Sequence, residues 1–540
     1  MSLKKERQRM HIHFLTRQNL APKKKKQPCK TYAENQCSHP MTLSKNKSSH
    51  AQRILRWCKN ILCFSGLWTV PILHVSGLHI QTYFWIYVGL VVAISFGNLN
   101  LFIIGKRTYN LWDTFTIISL RESLWKYEEE EQKNPPLVEQ LRLTDGGVFF
   151  GRKNGCDIGK GMGIDGHIIV FGGSGSGKSS CIAIPTLNRY SSGALIIDVK
   201  DGGELERKST HRGISHTFRP GDSESIGYDP FWFLNPRQPE SGLKEIAYSL
   251  IPTDVKNPSD FWTMNEQRYL LAALYYCYDL GQSFAEACRT IYSLSVQDLL
   301  DRIKDSNCSF AKAGMSDFYA MADETRGGII AGVGNAISTF VTDTDILDVL
   351  TKRQVMTPEQ LLAGERIYVC IPEHKLDVYR ELLQLIISQF LRYFEQLKDT
   401  ETRPVLFLLD EFARLGKYDR LTNGLATLRS KKVTIMILTQ SISQLDMIYG
   451  SDTRKVMLDN CSYKVILNAS DADSQQYFSK LAGTYTKHQK SYTKGRSSSH
   501  NISEQEHPII KPEDLTTLKK ELLITPYGIQ WIDKQPYFRE

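Results

Sequence analysis

From His167 to Ser180 the chain reads HIIVFGGSGSGKSS. Ile168 to Phe171 is a short apolar run suited to a buried strand. Gly172, Gly177, Lys178 and Ser179 complete the pattern G-x-x-x-x-G-K-[ST] directly after it. Residues this small let the loop formed by Gly172, Gly173, Ser174, Gly175, Ser176, Gly177, Lys178, Ser179 and Ser180 turn its backbone N–H groups onto phosphate oxygens. The start of the helix that follows favours the same negative charge. In such a loop Lys178 reaches the β- and γ-phosphates and the Ser179 hydroxyl binds Mg²⁺.

Two carboxylates complete that chemistry. VLFLLDEF, from Val405 to Phe412, is an apolar run ending in acids, so a strand there delivers Asp410 to the metal shell. Glu411 then orients or polarises the attacking water. A further buried run, VTIMILTQ from Val433, ends in Gln440, where a sensor of the γ-phosphate would stand. Arg429 precedes that strand, where an arginine either contacts the nucleotide of a neighbouring subunit and stabilises transition-state charge or stands as a solvated helix-end residue. A second strand, Ala194 to Ile197, ends in Asp198-Val199-Lys200.

These residues need a sheet to hold them. Further strands fit Arg366 to Ile371 and Tyr463 to Leu467, and between these two Leu383, Ile386, Ile387, Phe390, Leu391 and Phe394 mark one helical face. Five apolar strands alternating with helices, phosphate loop first, predict a parallel α/β sheet with nucleotide at the strands' carboxyl ends. The segment 232–345 is helix-patterned, with Leu270, Leu271, Leu274 and Tyr278 on one face, and lacks sheet-like runs, so it reads as an all-helical insertion. The tract Thr484 to His507 is rich in Ser, Thr and Lys without apolar periodicity and reads as a mobile loop.

The 540 residues are 41% hydrophobic and 23% charged, which excludes wholesale disorder. The net charge of +9 hides a division: the first 60 residues carry +13 and the remaining 480 carry −4. That excludes a uniformly basic nucleic-acid coat, so any DNA handling must be local. The eleven cysteines form no C-x-x-C pair and no zinc spacing, which places the catalytic part in the cytoplasm. From Ile61 to Gly105 no Lys, Arg, Asp or Glu occurs. One spanning helix needs about 20 residues, so two spans are expected, the better from Tyr83 to Ile104. Basic residues on both flanks, including Lys106-Arg107, favour two crossings with both ends inside. If Met41 is the true start, about 20 residues would precede the first span.

On these residues the chain resembles the membrane coupling ATPases of conjugation and type IV secretion, the TraG/TraD group. The motifs that carry the likeness are FGGSGSGKSSCIAIPTLNRY, ALIIDVKDGGEL and LLDEFARLGKYDRLTNGLATLRSKKVTIMILTQSISQL, with Phe261-Trp262, the ETRGGI stretch from Glu324 and the tail PEDLTTLKKELLITPYGIQWI. The resemblance implies a RecA-like P-loop ATPase using ATP and Mg²⁺, assembled as a hexameric ring at the inner membrane. Such a protein would recruit a relaxase bound to DNA and deliver it to the secretion channel. Implied along the chain are a basic cytoplasmic tail at 1–60, a transmembrane hairpin at 61–105, a discontinuous nucleotide-binding domain at 106–231 and 346–540, and an all-alpha domain inserted at 232–345.

Three functions compete at this level: a DNA-coupling motor, a receptor passing protein effectors through the same channel, and a membrane scaffold with a vestigial nucleotide site. The intact set Lys178, Ser179, Asp410 and Glu411 favours a motor over a scaffold, and no LSGGQ-like signature points to an ABC-type ATPase. Arg414, Lys417 and Arg420, after Asp410 and Glu411, are candidates for a DNA-lined channel.

Overall fold

The computed structural model describes Ile103–Ile104, Arg107–Thr108 and residues 115–539 except 212, 254–259 and 494–498. The chain divides into two units, with the boundary between Glu128 and Glu129. In the first, β1 (Ile103–Ile104) pairs antiparallel with β2 (Arg107–Thr108). The expected multi-pass inner-membrane location is corrected here. Among the described residues no helix is long and apolar enough to cross a membrane. The basic tail and the apolar run from Ile61 lie outside the described residues, apart from Ile103 and Ile104. Those two β-branched residues form a strand rather than the end of a spanning helix.

The second unit is built on one sheet of eleven strands. In chain order these are β3 (Gly147–Lys153), β4 (Cys156–Gly161), β5 (Ile168–Phe171), β6 (Gly193–Asp198), β7 (Ser215–Phe218), β8 (Arg366–Cys370), β9 (Val405–Leu409), β10 (Val433–Thr439) and β11 (Tyr463–Ile466). A separate antiparallel pair follows, β12 (Thr484–Thr493) with β13 (Ser499–Pro508), and then β14 (Lys520–Thr525) and β15 (Gly528–Asp533) complete the main sheet. Its order is β4-β3-β15-β14-β11-β5-β10-β9-β6-β8-β7. The seven strands from β11 to β7 are all parallel, and β14 joins them antiparallel through β11, carrying β15, β3 and β4 as a wing.

Why these runs make a parallel sheet is visible in their burial. Every residue of β5, β6, β8, β9 and β10 is buried, as expected for strands covered on both faces. Alternate side chains divide between two cores: Ile169, Phe171, Leu195, Ile197, Phe407 and Leu409 face one, and Ile168, Val170, Ala194, Ile196, Leu406 and Leu408 the other. The helix Arg380–Gln396 lays Leu383, Ile386, Ile387, Phe390, Leu391 and Phe394 into the first core, all fully buried. Each such burial stabilises by roughly 1.5–3 kcal/mol.

Between β7 and β8 the named elements are helices and short helical turns only. Phe261–Asp279 buries Leu270, Leu274 and Tyr278, with Leu271 half-buried beside them. Its start is capped by the Asp260 carboxylate, which accepts from Thr263 N at 2.9 Å. Phe284–Ser293 begins with a reciprocal capping box between Ser283 and Glu286. The apolar core of these helices is continuous with one face of the sheet.

The tract expected as a mobile loop is instead the hairpin β12–β13, with ten residues in each strand. Its Thr and Tyr residues favour extended backbone. Apolar periodicity is missing because, apart from Tyr485, its described side chains are exposed or half-buried. Tyr485 is held where Lys133 Nζ sits 4.1 Å from its ring centroid, and Thr486 N donates to Gln132 Oε1 at 3.0 Å.

Candidate nucleotide site at the carboxyl ends of the parallel strands

β5 ends at Phe171, and the loop Gly172–Gly177 leads into a π-helical turn, Lys178–Ala183, that continues as the helix Ile184–Arg189. The glycines are needed for steric reasons. Gly177 has φ +107°, in the left-handed region, and a Cβ there would stand 2.9 Å from Cys181 Sγ. A Cβ on Gly172 would meet Ser176 Oγ at 2.3 Å.

Neighbouring strands fix the loop. Gly172 N donates to Thr439 O at 3.2 Å, at the end of β10, and Gly173 N donates to Asn468 Oδ1 at 2.8 Å, just past β11. Lys178 is buried; its ammonium donates to Gly172 O at 2.7 Å and lies 3.7 Å from Glu411 Oε1. Ser179 and Ser180 are half-buried on the first turn and Ser174 is exposed at the loop tip.

Opposite the loop stand the acids. Asp410 follows β9, is 1% exposed, and neither carboxylate oxygen has a hydrogen-bond partner. Burial, with repulsion from Glu411 and Asp198, pushes its pKa up to about 7. A buried carboxylate left so unbalanced fits a cation. Asp410 with the Ser179 hydroxyl is an all-oxygen donor set, the chemistry Mg²⁺ selects. Asp198 ends β6, the strand beside β9; its Oδ2 accepts from Glu206 N at 3.0 Å and burial lifts its pKa to about 6.

Glu411 adopts left-handed backbone at φ 44°, a strained conformation for a non-glycine residue. Gln440, just past β10, donates from Nε2 to Glu411 Oε2 at 3.3 Å. The fold therefore gathers the loop, Lys178, Asp410, Glu411 and Gln440 in one place.

Arg429 is not among them. It is exposed on the turn Leu428–Lys431 that precedes β10, at the opposite end of that strand. Seven residues of strand separate the two ends, on the order of 20 Å, so Arg429 cannot reach its own chain's site. Among the channel candidates, Arg414 pairs with Glu373 at 2.8 Å and Arg420 with Glu395 at 2.5 Å. Lys417 is exposed, and its carbonyl accepts from the Gln384 amide at 3.2 Å. Sequence reasoning missed Asn468 and gave Asp198 no role. The available signal was the one that found Gln440: a polar residue just past an apolar strand.

A protein family described as type IV secretory system conjugative DNA transfer has a model that matches residues 125–526. The chain belongs to this family. It is similar to protein VirD4 of Agrobacterium fabrum (strain C58), at 26% identity over 384 residues, covering 65% of this chain and 55% of the relative. It is likewise similar to a probable conjugal transfer protein TraG of Sinorhizobium fredii (strain NBRC 101917 / NGR234), at 24% identity, covering 66% of this chain and 59% of the relative. The chain thus spans a little over half the length of these curated relatives.

Among solved structures, the unbound bacterial conjugative coupling protein TrwBdeltaN70 superposes with a TM-score of 0.58 at 16% identity, covering 73% of this chain and 90% of that one. Plasmid coupling protein TrwB in complex with ADP and Mg²⁺ gives 0.54 at 16% identity, covering 68% and 85%. At this identity the shared feature is the fold: α/β with a mostly parallel sheet. The family match reaches across the phosphate loop, Asp410, Glu411 and Gln440, so the site lies within the family's own region.

Proposed function

We propose that this protein is an ATP-driven coupling motor for conjugative DNA transfer through a type IV secretion channel. The observation that carries this reading is the convergence of Lys178, Asp410, Glu411 and Gln440 on one phosphate loop. A scaffold has no use for a buried carboxylate with both oxygens unpartnered. TrwB, of the same fold, has been captured with ADP and Mg²⁺ and with an ATP analogue, which supports the same ligands here.

In the proposed reaction Lys178 exchanges its loop carbonyl contacts for β- and γ-phosphate oxygens. Ser179 and Asp410 would hold Mg²⁺, whose charge when bound would offset that developing on those phosphates. Glu411 accepts a proton from the attacking water as the bond to the leaving ADP oxygen breaks, and Gln440 holds the Glu411 carboxylate in place. Arg429 serves the site of an adjacent copy, the role open to an exposed arginine a strand's length from its own nucleotide. That makes the active form a ring, a homo-hexamer in our reading, on a RecA-like nucleotide-binding domain formed by 106–231 and 346–540 with 232–345 as an inserted helical domain. DNA is held locally and without sequence preference; a relaxase bound to it and components of the secretion channel are the expected partners.

The test is phosphate release by the purified full chain with ATP and Mg²⁺, with and without DNA. The reading expects DNA-stimulated hydrolysis that Lys178→Ala abolishes. Co-purification of free effector proteins instead of a relaxase–DNA complex would move the cargo assignment to protein secretion.

A further inference from the structure

The sheet order gives the phosphate loop two unlike flanks. On one side of β5 lie β10, β9 and β6, whose ends carry Gln440, Asp410 with Glu411, and Asp198. The γ-phosphate belongs there, where the hydrolytic groups are. The nucleoside at the other end of the triphosphate must then leave the loop on the opposite flank, towards β11, β14 and β15.

The chain leaves the sheet on that flank, at the end of β15. After β15 the chain runs from Lys534 to Arg539, and its turn Tyr537–Arg539 packs against the first turn after the loop, Lys178–Ala183. Tyr537 sinks towards the core on that face. The segment is fixed: Lys534 Nζ donates to Leu467 O at 3.0 Å, one residue before the Asn468 that holds Gly173. Arg539 N donates to Pro536 O at 2.9 Å and Gln535 Nε2 donates to Arg539 O at 3.0 Å. On this clamp Phe538 stands 66% exposed, its ring 5.4 Å from that of Tyr537 at 81°. Arg539 is exposed beside it, and the charges of Lys534 and Arg539 both act on Cys181 in the loop's first helical turn.

We propose that Phe538 and Arg539 form the nucleoside wall of the nucleotide site, Phe538 stacking on the base and Arg539 meeting the ribose and α-phosphate. This rests on the reading of the phosphate loop given above and adds a recognition element some 360 residues along the chain from it. Stacking accepts any base face, so the wall confers affinity for nucleosides over bare phosphates rather than selection among purines.

The test measures binding of ADP and of inorganic tripolyphosphate to the full chain by calorimetry. Phe538→Ala weakens ADP about tenfold and leaves tripolyphosphate unchanged, and Phe538→Trp restores ADP affinity. Unchanged ADP affinity in F538A, or equal loss of both ligands, overturns the wall. Lys178→Ala separates the two readings: if it leaves both ligands bound as in the wild type, the loop assignment itself fails, whatever Phe538 does.

Discussion

The Gln440 amide donates to Glu411 Oε2 at 3.3 Å, so the residue after β10 holds the acid after β9. Glu411 sits in strained left-handed backbone, and its other oxygen faces Lys178 at 3.7 Å. The carboxylate we propose activates water is therefore held from both sides before any substrate arrives. Gln440→Ala is expected to lower ATP turnover roughly 10- to 100-fold with ADP affinity nearly unchanged, and Glu411→Gln to lower it roughly 100- to 10,000-fold. Parallel steady-state and binding measurements check this; a loss of binding equal to the loss of turnover would remove Glu411 from the chemistry.

Asp410 is buried, and burial with repulsion from Glu411 and Asp198 disfavours its charged form. Asp410→Asn removes that charge, so in EDTA the variant should melt above the wild type. Added Mg²⁺ with ADP should stabilise the wild type and leave the variant almost unmoved. Differential scanning fluorimetry across a Mg²⁺ series decides; equal Mg²⁺ responses would show that the cation is held elsewhere.

Gly177→Ala places a Cβ 2.9 Å from Cys181 Sγ at a φ that L residues avoid. It should cost about 1 kcal/mol or more of stability and abolish high-affinity nucleotide binding, because the loop must distort. Wild-type ADP affinity in G177A would contradict the loop geometry.

Glu521, on β14, is fully buried with neither carboxylate oxygen partnered, and burial holds its pKa well above 4.5. The folded chain keeps a proton that the unfolded chain has released, so this group lowers stability as pH rises past the unfolded value. Glu521→Gln carries no such titration. Its thermal midpoint should exceed the wild type's near pH 8, with the gap closing towards pH 5. A gap that stays constant with pH would mean that Glu521 is charged in the folded chain.

What was legible in the sequence was whatever depends on neighbours along the chain. The loop from Gly172 to Ser180 follows its strand directly, and Asp410 and Gln440 sit just past buried runs, so their strand-end placement could be read without knowing the topology. Asn468 could not be weighted this way, because its importance lies in a contact with Gly173 made 295 residues away. The wing of β3, β4, β14 and β15 was likewise hidden: Gly147, Gly151, Gly159 and Gly161 interrupt its apolar signal. The β12–β13 hairpin was mistaken for a loop because burial periodicity is absent from strands that face solvent. Arg429 lies at the far end of β10 from the phosphate loop, so its own chain's site does not include it.

In the proposed function, nucleotide turnover at this site drives transfer. Its most direct measurement is a mating assay comparing Lys178→Ala with the wild type at equal protein levels, scored for transfer of a mobilisable plasmid. Transfer is expected to fall to background in the variant. Transfer at the wild-type rate would contradict it.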